Sequence, residues 1–246
     1  MTIVELDLFA RFRNATRARI GLGRSGDGIP TAANLDLQLA HARARDAVHG
    51  AVDFAAMAAR LAPLETVRLR SLCEGRTQYL ARPDLGRQAH PDGLAQLAPG
   101  PYDAAFVIAD GLSAAAIEHH AEKTLQACLN RLGDLTIAPV VLAEQARVAL
   151  ADAVGEKLQA RIIVILIGER PGLSAPDSLG AYITYAPKVG RMDSERNCVS
   201  NIHLDGLSYE AAGDKIAWLI REACRLGLTG VGLKENATTT ELLGPE

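Results

Sequence analysis

Three short stretches of the chain are apolar almost without interruption: Ala104-Ala-Phe-Val-Ile-Ala109, Ile137 to Leu142, and the run Ile162-Ile-Val-Ile-Leu-Ile-Gly168 that follows Arg161. The first closes on Asp110-Gly-Leu-Ser113 and the third on Glu169-Arg-Pro-Gly172. Runs this short, rich in β-branched residues and apolar at consecutive positions, predict strands buried on both faces. Between them the period changes: Ile117, Leu125, Cys128 and Leu132 mark one helix, and residues from about Gln145 to Ala160 a second. Tyr182 to Tyr185 predicts a fourth strand, and a helix from Tyr209 to Leu226 leads into Gly230-Val-Gly-Leu233. Such alternation implies an α/β domain over residues 101–246, a parallel, Rossmann/flavodoxin-like sheet with helices on both faces. Ligands bind these sheets outside the carboxyl ends of the strands, near a switch in strand order. Sites are therefore expected at Asp110 to Ser113, at Glu169 to Gly172, and in the loop ending at Cys198.

Residues 1–100 follow a different grammar and predict a mainly helical region ahead of the sheet. Glu5 to Arg13 suits a short helix or an extended arm, and residues 19–30 form a glycine-dense loop that must turn sharply. Thr31 to His49 reads as a helix stopped by Gly50, and a second passes through Phe54, Met57, Ala58 and Leu61 to end at Pro63. Val67 to Leu72 alternates like a short strand, and Tyr79 to Arg87, punctuated by Pro83 and Gly86, reads as a loop.

Composition narrows the classes. The chain has 246 residues, 48% apolar and 22% charged, which excludes disordered and collagen-like readings. A net charge of −3 argues against a dedicated nucleic-acid binder. The charge is uneven, however: residues 1–100 carry +3 and residues 101–246 carry −6, and every basic residue of the first hundred is arginine. An arginine-only half suits an anion-reading or partner surface, although a biased genome composition produces the same count. Cys73, Cys128, Cys198 and Cys224 form no CxxC pair and have no histidine at zinc-finger spacing, which predicts free thiols in a reducing cytoplasm. The N-terminus lacks the apolar core of a secretory signal, and no stretch approaches a membrane span, so a cytosolic protein is expected.

Few motifs carry chemistry. Gly21, Gly23 and Gly26 spell GxGxxG, but the preceding segment is arginine-rich rather than a buried strand, and Pro30 delays the next helix. A glycine turn is favoured over a dinucleotide site, although its amides and Arg24 can approach a phosphate. His119-His120 looks like a metal pair, yet neighbours on an α-helix point about 100° apart, so a solvated helix surface is expected and no metal site is assigned. HExxH, GxSxG and P-loop motifs are missing. Cys198 with His203 five residues on could be imagined as a nucleophile, but nothing in the sequence lowers the thiol's pKa. Gly168-Glu169-Arg170-Pro171-Gly172 is more informative: it sets a carboxylate and a guanidinium on a rigid turn at the mouth of a buried strand, where either can meet a ligand.

Five blocks together closely resemble one family. Residues 19–31 (RIGLGRSGDGIPT), 79–87 (YLARPDLGR), 107–113 (VIADGLS), 167–173 (IGERPGL) and 196–202 (RNCVSNI) are similar, in order, to the small (light) subunit of ethanolamine ammonia-lyase, with the likeness running from about residue 17 to 235. The resemblance implies a bacterial adenosylcobalamin enzyme that converts ethanolamine to acetaldehyde and ammonia by a radical mechanism, begun by homolysis of the cofactor's cobalt–carbon bond. It implies a barrel-forming large subunit as partner, which holds the substrate and most of the reacting site. This chain would contribute part of the cobalamin site and no catalytic residue.

Family cobalamin contacts carry over to Val148 in Gln145-Ala-Arg-Val148, as an apolar or backbone contact, to Glu169, as an acceptor for corrin amides, and to Cys198, which would line the same pocket. None of the six histidines lies in Asp-x-His-x-x-Gly, so the resemblance implies that the cofactor's own dimethylbenzimidazole stays on cobalt. Some relatives carry a longer alanine-rich extension associated with packaging into a microcompartment. About 16 residues precede the first block here, and encapsulation is left open. The arginine-rich first hundred residues are the natural large-subunit interface. Two other readings stand beside this one: a non-catalytic flavodoxin-like ligand-binding module, and an NAD-dependent oxidoreductase resting on the glycine loop.

Overall fold

The apolar runs pair into the centre of a six-stranded mixed sheet in a computed structural model that describes residues 7–16 and 18–234. Residues 1–6, on which the expectations for a signal and for Glu5 fall, lie outside the described residues. The elements are α1 Ala10–Ala15, α2 Thr31–His49, α3 Phe54–Arg60, β1 Thr66–Arg70, α4 Arg76–Ala81, α5 Pro83–Gly86, α6 Pro91–Ala95, β2 Ala104–Ala109, α7 Ala114–Ala116, α8 Glu122–Leu129, β3 Val140–Glu144, α9 Leu150–Leu158, β4 Ile162–Gly168, β5 Leu179–Tyr185, β6 Asn197–Ile202 and α10 Tyr209–Leu226. A wide π turn, Ile117–Ala121, joins α7 to α8.

The strand order is β1-β3-β2-β4-β5-β6. The first four strands run parallel, whereas β5 is antiparallel to both β4 and β6. The expectation of a wholly parallel sheet is thus corrected. A parallel return needs a crossover of a dozen or more residues, usually with a helix, and only residues 169–178 separate β4 from β5. Cys198, expected in a loop, lies on the edge strand β6, opposite Tyr182 of β5. The Tyr79 block, expected as a loop, spans the end of α4 and all of α5. The second long helix is shorter than its apolar pattern: residues from Gln145 form a turn, and α9 begins at Leu150. The helices from Thr31 to His49 and from Tyr209 to Leu226 have their expected bounds.

Each central strand divides its side chains between two cores, as a period of two requires. Phe106, Ile108, Leu142, Val164 and Leu166 face α3, α8 and α10, whereas Val107, Val141, Ile163, Ile165 and Ile167 face α9. The chain leaves β2 for β3 on one side and then crosses back over β2 to reach β4, so the order reverses around β2. The crevice that this reversal opens lies at the carboxyl ends of β2, β3 and β4.

A buried ion pair ties the antiparallel strands to the rest. Arg196, just before β6, donates from Nη1 to Asp152 Oδ1 at 2.6 Å and from Nη2 to Oδ2 at 2.7 Å, and also to Thr184 Oγ1 and the Arg191 carbonyl. Both side chains are at most 2% exposed. Burial opposes the charge on Arg196, but the bidentate carboxylate outweighs it and holds the guanidinium above its ordinary pKa.

The histidine pair departs from expectation. His120 is buried and His119 exposed, so the solvated-surface reading fails for one of them. Both rings reach Asp177 of the β4–β5 loop: His119 Nδ1 lies 3.1 Å and His120 Nε2 3.3 Å from the same Oδ2. Neighbours on a regular helix diverge. Here a π turn carries both residues, and a carboxylate from elsewhere in the chain sits between them.

Candidate functional site

At the reversal point the backbone packs too tightly for side chains. A Cβ on Gly111, whose φ is +55°, would meet the Gly168 carbonyl at 2.3 Å, and one on Gly168 would meet the Ser113 carbonyl at 2.2 Å. Leu112 N–H donates to the Gly168 carbonyl at 2.9 Å, which closes the two turns against each other. This contact explains both the glycine of Asp-Gly-Leu-Ser and the glycine before Glu169.

Asp110 holds the third turn in place. Its buried carboxylate accepts from the Gln145 N–H at 3.0 Å and the Ala146 N–H at 3.1 Å, with Arg76 Nη1 at 3.5 Å. Burial pushes its pKa up to about 6 against the lowering effect of these donors. Arg76 also donates to the Gly111 and Val48 carbonyls. Tyr79, fully buried, donates its hydroxyl to the Ala146 carbonyl at 3.0 Å and carries the guanidinium carbons of Arg147 and Arg76 at 4.3 and 4.8 Å from its ring centre. Gly86 leaves room for that stack, since a Cβ there would meet Arg147 Cγ at 2.9 Å. The work of the Tyr-Leu-Ala-Arg-Pro-Asp-Leu-Gly-Arg block is therefore to seat Arg147.

These turns wall a cavity of about 480 Å³ lined by Tyr79, Gly111, Leu112, Arg147, Val148, Ile167, Gly168, Glu169, Arg170 and Tyr182. Val148 and Glu169, chosen from sequence, share its wall. Cys198 is not among the lining residues but pairs with one of them, Tyr182, across β5 and β6. Ser178 Oγ donates to Glu169 Oε2 at 2.5 Å, and the Asn201 N–H approaches the same oxygen at 3.4 Å, so one carboxylate oxygen is held by the neighbouring strands. Burial pushes the Cys198 thiol up against the opposing hydrogen bond to Tyr182, and the Glu169 charge adds to the rise. Its thiolate is thus disfavoured, which removes the nucleophile reading. The glycine loop lies apart from this cavity: Gly21, Gly23 and Gly26 have positive φ, Ser25 bridges Gly28, and no strand among the described residues precedes it. The dinucleotide reading loses its structural context.

Sequence reasoning missed Tyr79, Arg147 and Tyr182. Arg147 sat one residue from Val148, but its stacking partner lies 68 residues away in sequence. Three buried polar atoms among the described residues, Arg76 Nη2, Gln145 Oε1 and Arg147 Nε, have no hydrogen-bond partner. Of these residues only Arg147 lines the cavity, whereas Arg76 and Gln145 stand behind its wall around Asp110.

Comparison with known proteins agrees with the sequence blocks. The family model described as ethanolamine ammonia-lyase light chain (EutC) matches residues 6–234. Proteins named ethanolamine ammonia-lyase small subunit are 53% identical in Pseudomonas putida (strain GB-1), over 94% of this chain and 88% of that protein, and 51% identical in Xanthomonas campestris pv. campestris (strain ATCC 33913), over 94% and 89%. The Azotobacter vinelandii (strain DJ) protein of the same name is 50% identical over 95% of this chain and 90% of its own length. With its crevice, its glycine contacts and nearly its whole length accounted for, the chain belongs to the ethanolamine ammonia-lyase light-chain family.

Proposed function

We propose that this chain is the small subunit of an adenosylcobalamin-dependent ethanolamine ammonia-lyase, converting ethanolamine to acetaldehyde and ammonia only together with a large subunit. The observation that carries the cofactor reading is the cavity at the ends of β2, β3 and β4, whose wall brings Val148, Glu169 and Arg147 together. A corrinoid has an apolar body fringed with amides, and the cavity wall suits such a rim: Glu169 to accept from amide N–H groups, Arg147 to donate to amide carbonyls, Val148 and Tyr182 to pack against the ring edge. A corrinoid is much larger than the ligands that a cavity of about 480 Å³ encloses, so this wall is one part of a site that a second polypeptide completes.

When bound, adenosylcobalamin supplies the hydrogen-abstracting radical chemistry. This chain's residues bind, orient and shield. Ser178 fixes one oxygen of Glu169 and leaves Oε1 to meet the ligand. Asp110 locks the β3 turn so that Val148 and Arg147 keep their places. The Tyr79–Arg147 stack excludes water from behind the wall. Cys198 abuts the pocket through Tyr182 and takes no part in bond making.

For the large subunit we assign residues 1–100 as the docking region. Phe9, Phe12, Ile29, Leu35 and Leu39 are all exposed, and α2 buries only Ala40 and Ala47. An apolar and arginine-rich surface of this kind suits a permanent partner. We place the enzyme in the bacterial cytoplasm. The relatives are bacterial, and no helix among the described residues is long and apolar enough to cross a membrane. Encapsulation in a microcompartment is not part of this assignment.

Reconstitution tests the proposal. The chain, its large subunit and adenosylcobalamin together should deaminate ethanolamine, and omission of any one should abolish turnover. Corrinoid binding with no turnover in any pairing would support the flavodoxin-like module instead.

A further inference from the structure

From the convergence of His119, His120 and Asp177 we infer a zinc(II) site on the sheet face carrying α8 and α10, separate from the corrinoid wall. The three side chains each offer one ligand atom, and these atoms lie within 4.8 Å of one another. The two nitrogen–oxygen separations are 3.1 and 3.3 Å. Zinc bonds of about 2.0–2.1 Å at tetrahedral angles place ligand atoms roughly 3.3 Å apart, so two edges of the tetrahedron are already in place. Only the third must close, and His119, on the exposed side, has room to swing. Two imidazoles and one carboxylate with an open fourth position form the donor set that zinc takes when it keeps a water or an external ligand.

The support around the triad is of the kind that metal sites need. His120 Nδ1 is hydrogen-bonded to the Tyr209 hydroxyl at 2.9 Å, which orients the ring and directs Nε2 at Asp177. Asp177 is pinned from both sides: Ser113 Oγ donates to the Pro176 carbonyl at 2.9 Å, and Ser178 Oγ donates to Glu169. The π turn that carries both histidines interrupts an otherwise regular helix, and such turns recur at functional sites. In this arrangement the ion clamps the β4–β5 loop to the helix that follows β2.

The test is zinc titration of the untagged full chain by calorimetry, with X-ray absorption on the loaded protein. One equivalent should bind through nitrogen and oxygen ligands at about 2.0–2.2 Å and no sulfur. His119→Ala, an exposed change that leaves the core intact, and Asp177→Asn should each weaken binding by more than tenfold, and Tyr209→Phe by roughly tenfold through loss of the orienting contact. Absence of stoichiometric zinc, a first shell containing sulfur from Cys198 or Cys224, or an affinity that His119→Ala and Asp177→Asn leave unchanged would overturn the assignment.

Discussion

Two buried carboxylate–guanidinium pairs sit on opposite sides of this sheet's function. Beneath β6, Arg196 and Asp152 meet in a bidentate contact, and Thr184 and the Arg191 carbonyl take further guanidinium protons. Below the crevice, Arg76 reaches Asp110 only at 3.5 Å, Asp110 is held chiefly by backbone amides, and Arg76 Nη2 has no partner. The first pair is saturated and belongs to the architecture: it fastens two antiparallel strands to α9. The second leaves hydrogen-bonding capacity unspent beside a cavity, as does Arg147 nearby. Saturation separates a girder from a site, because an unpaired buried polar atom is kept only where something else, a ligand among them, meets it.

The comparison breaks most visibly at the saturated pair. Arg196→Met should lower unfolding stability by about 3–5 kcal/mol, since Asp152 is then a buried charge without a counterion. The double change Arg196→Met with Asp152→Leu should recover most of that loss, because the stranded charge is gone. Urea denaturation of the three proteins measures both effects. A loss below about 1 kcal/mol in the single variant would mean that the antiparallel strands do not depend on the pair.

Asp110 should behave differently, through pH. Its pKa is about 6 in the folded chain against about 3.9 unfolded, so between these values the native state binds the proton more tightly. Its contribution to stability is therefore full below about pH 4 and lost as pH rises through 6. Asp110→Asn should remove this slope and cost about 1–3 kcal/mol at pH 4, because the amide oxygen can take the place of only one of the two oxygens that accept from Gln145 and Ala146, and its NH2 faces the other N–H. Denaturation midpoints of the two proteins from pH 4 to 7 should converge toward the upper end. Parallel curves would show that burial does not govern this carboxyl.

The contrast between the pairs also marks what was readable in advance. The uninterrupted runs at 104–109 and 162–168 announced central strands, because a strand buried on both faces has no polar position to show. The same runs suggested a parallel sheet throughout, and a fourth strand expected from Tyr182 left residues 169–181 as room for a crossover, whereas β5 begins at Leu179 after only ten residues. Glu169 could be singled out because a charged turn at the end of such a strand is unusual. Val148 came from family likeness alone, whereas the loop ending at Cys198 was also expected from the sheet pattern. Arg76, Tyr79 and Arg147 could not be found by spacing, since their contacts span 34 to 68 positions and form only when β1, β2 and β3 stand side by side. Asp177 was hidden for the same reason, 57 residues from His120.

At the unsaturated site the effects should fall on binding rather than folding. Glu169→Ala should weaken adenosylcobalamin binding in the reconstituted enzyme by roughly tenfold, the worth of one charge-assisted hydrogen bond, with the melting temperature unchanged. An unaltered cofactor affinity would remove Glu169 from the site while leaving the family assignment untouched.

Ser178→Ala sharpens the point with the smallest effect. Ser178 does not itself line the cavity, and its hydroxyl acts by holding Glu169 Oε2 at 2.5 Å. Without it the carboxylate keeps its charge and place on the chain but gains rotational freedom, and a freed side chain costs about 0.5–1.5 kcal/mol to order again on binding. Cofactor affinity should therefore drop several-fold, less than for Glu169→Ala, with turnover at saturating cofactor unchanged. Combining the two changes should give no loss beyond that of Glu169→Ala, since the serine has nothing left to hold. Additive losses would mean that Ser178 meets the ligand itself, and the cavity wall would then extend beyond Glu169 toward Asp177.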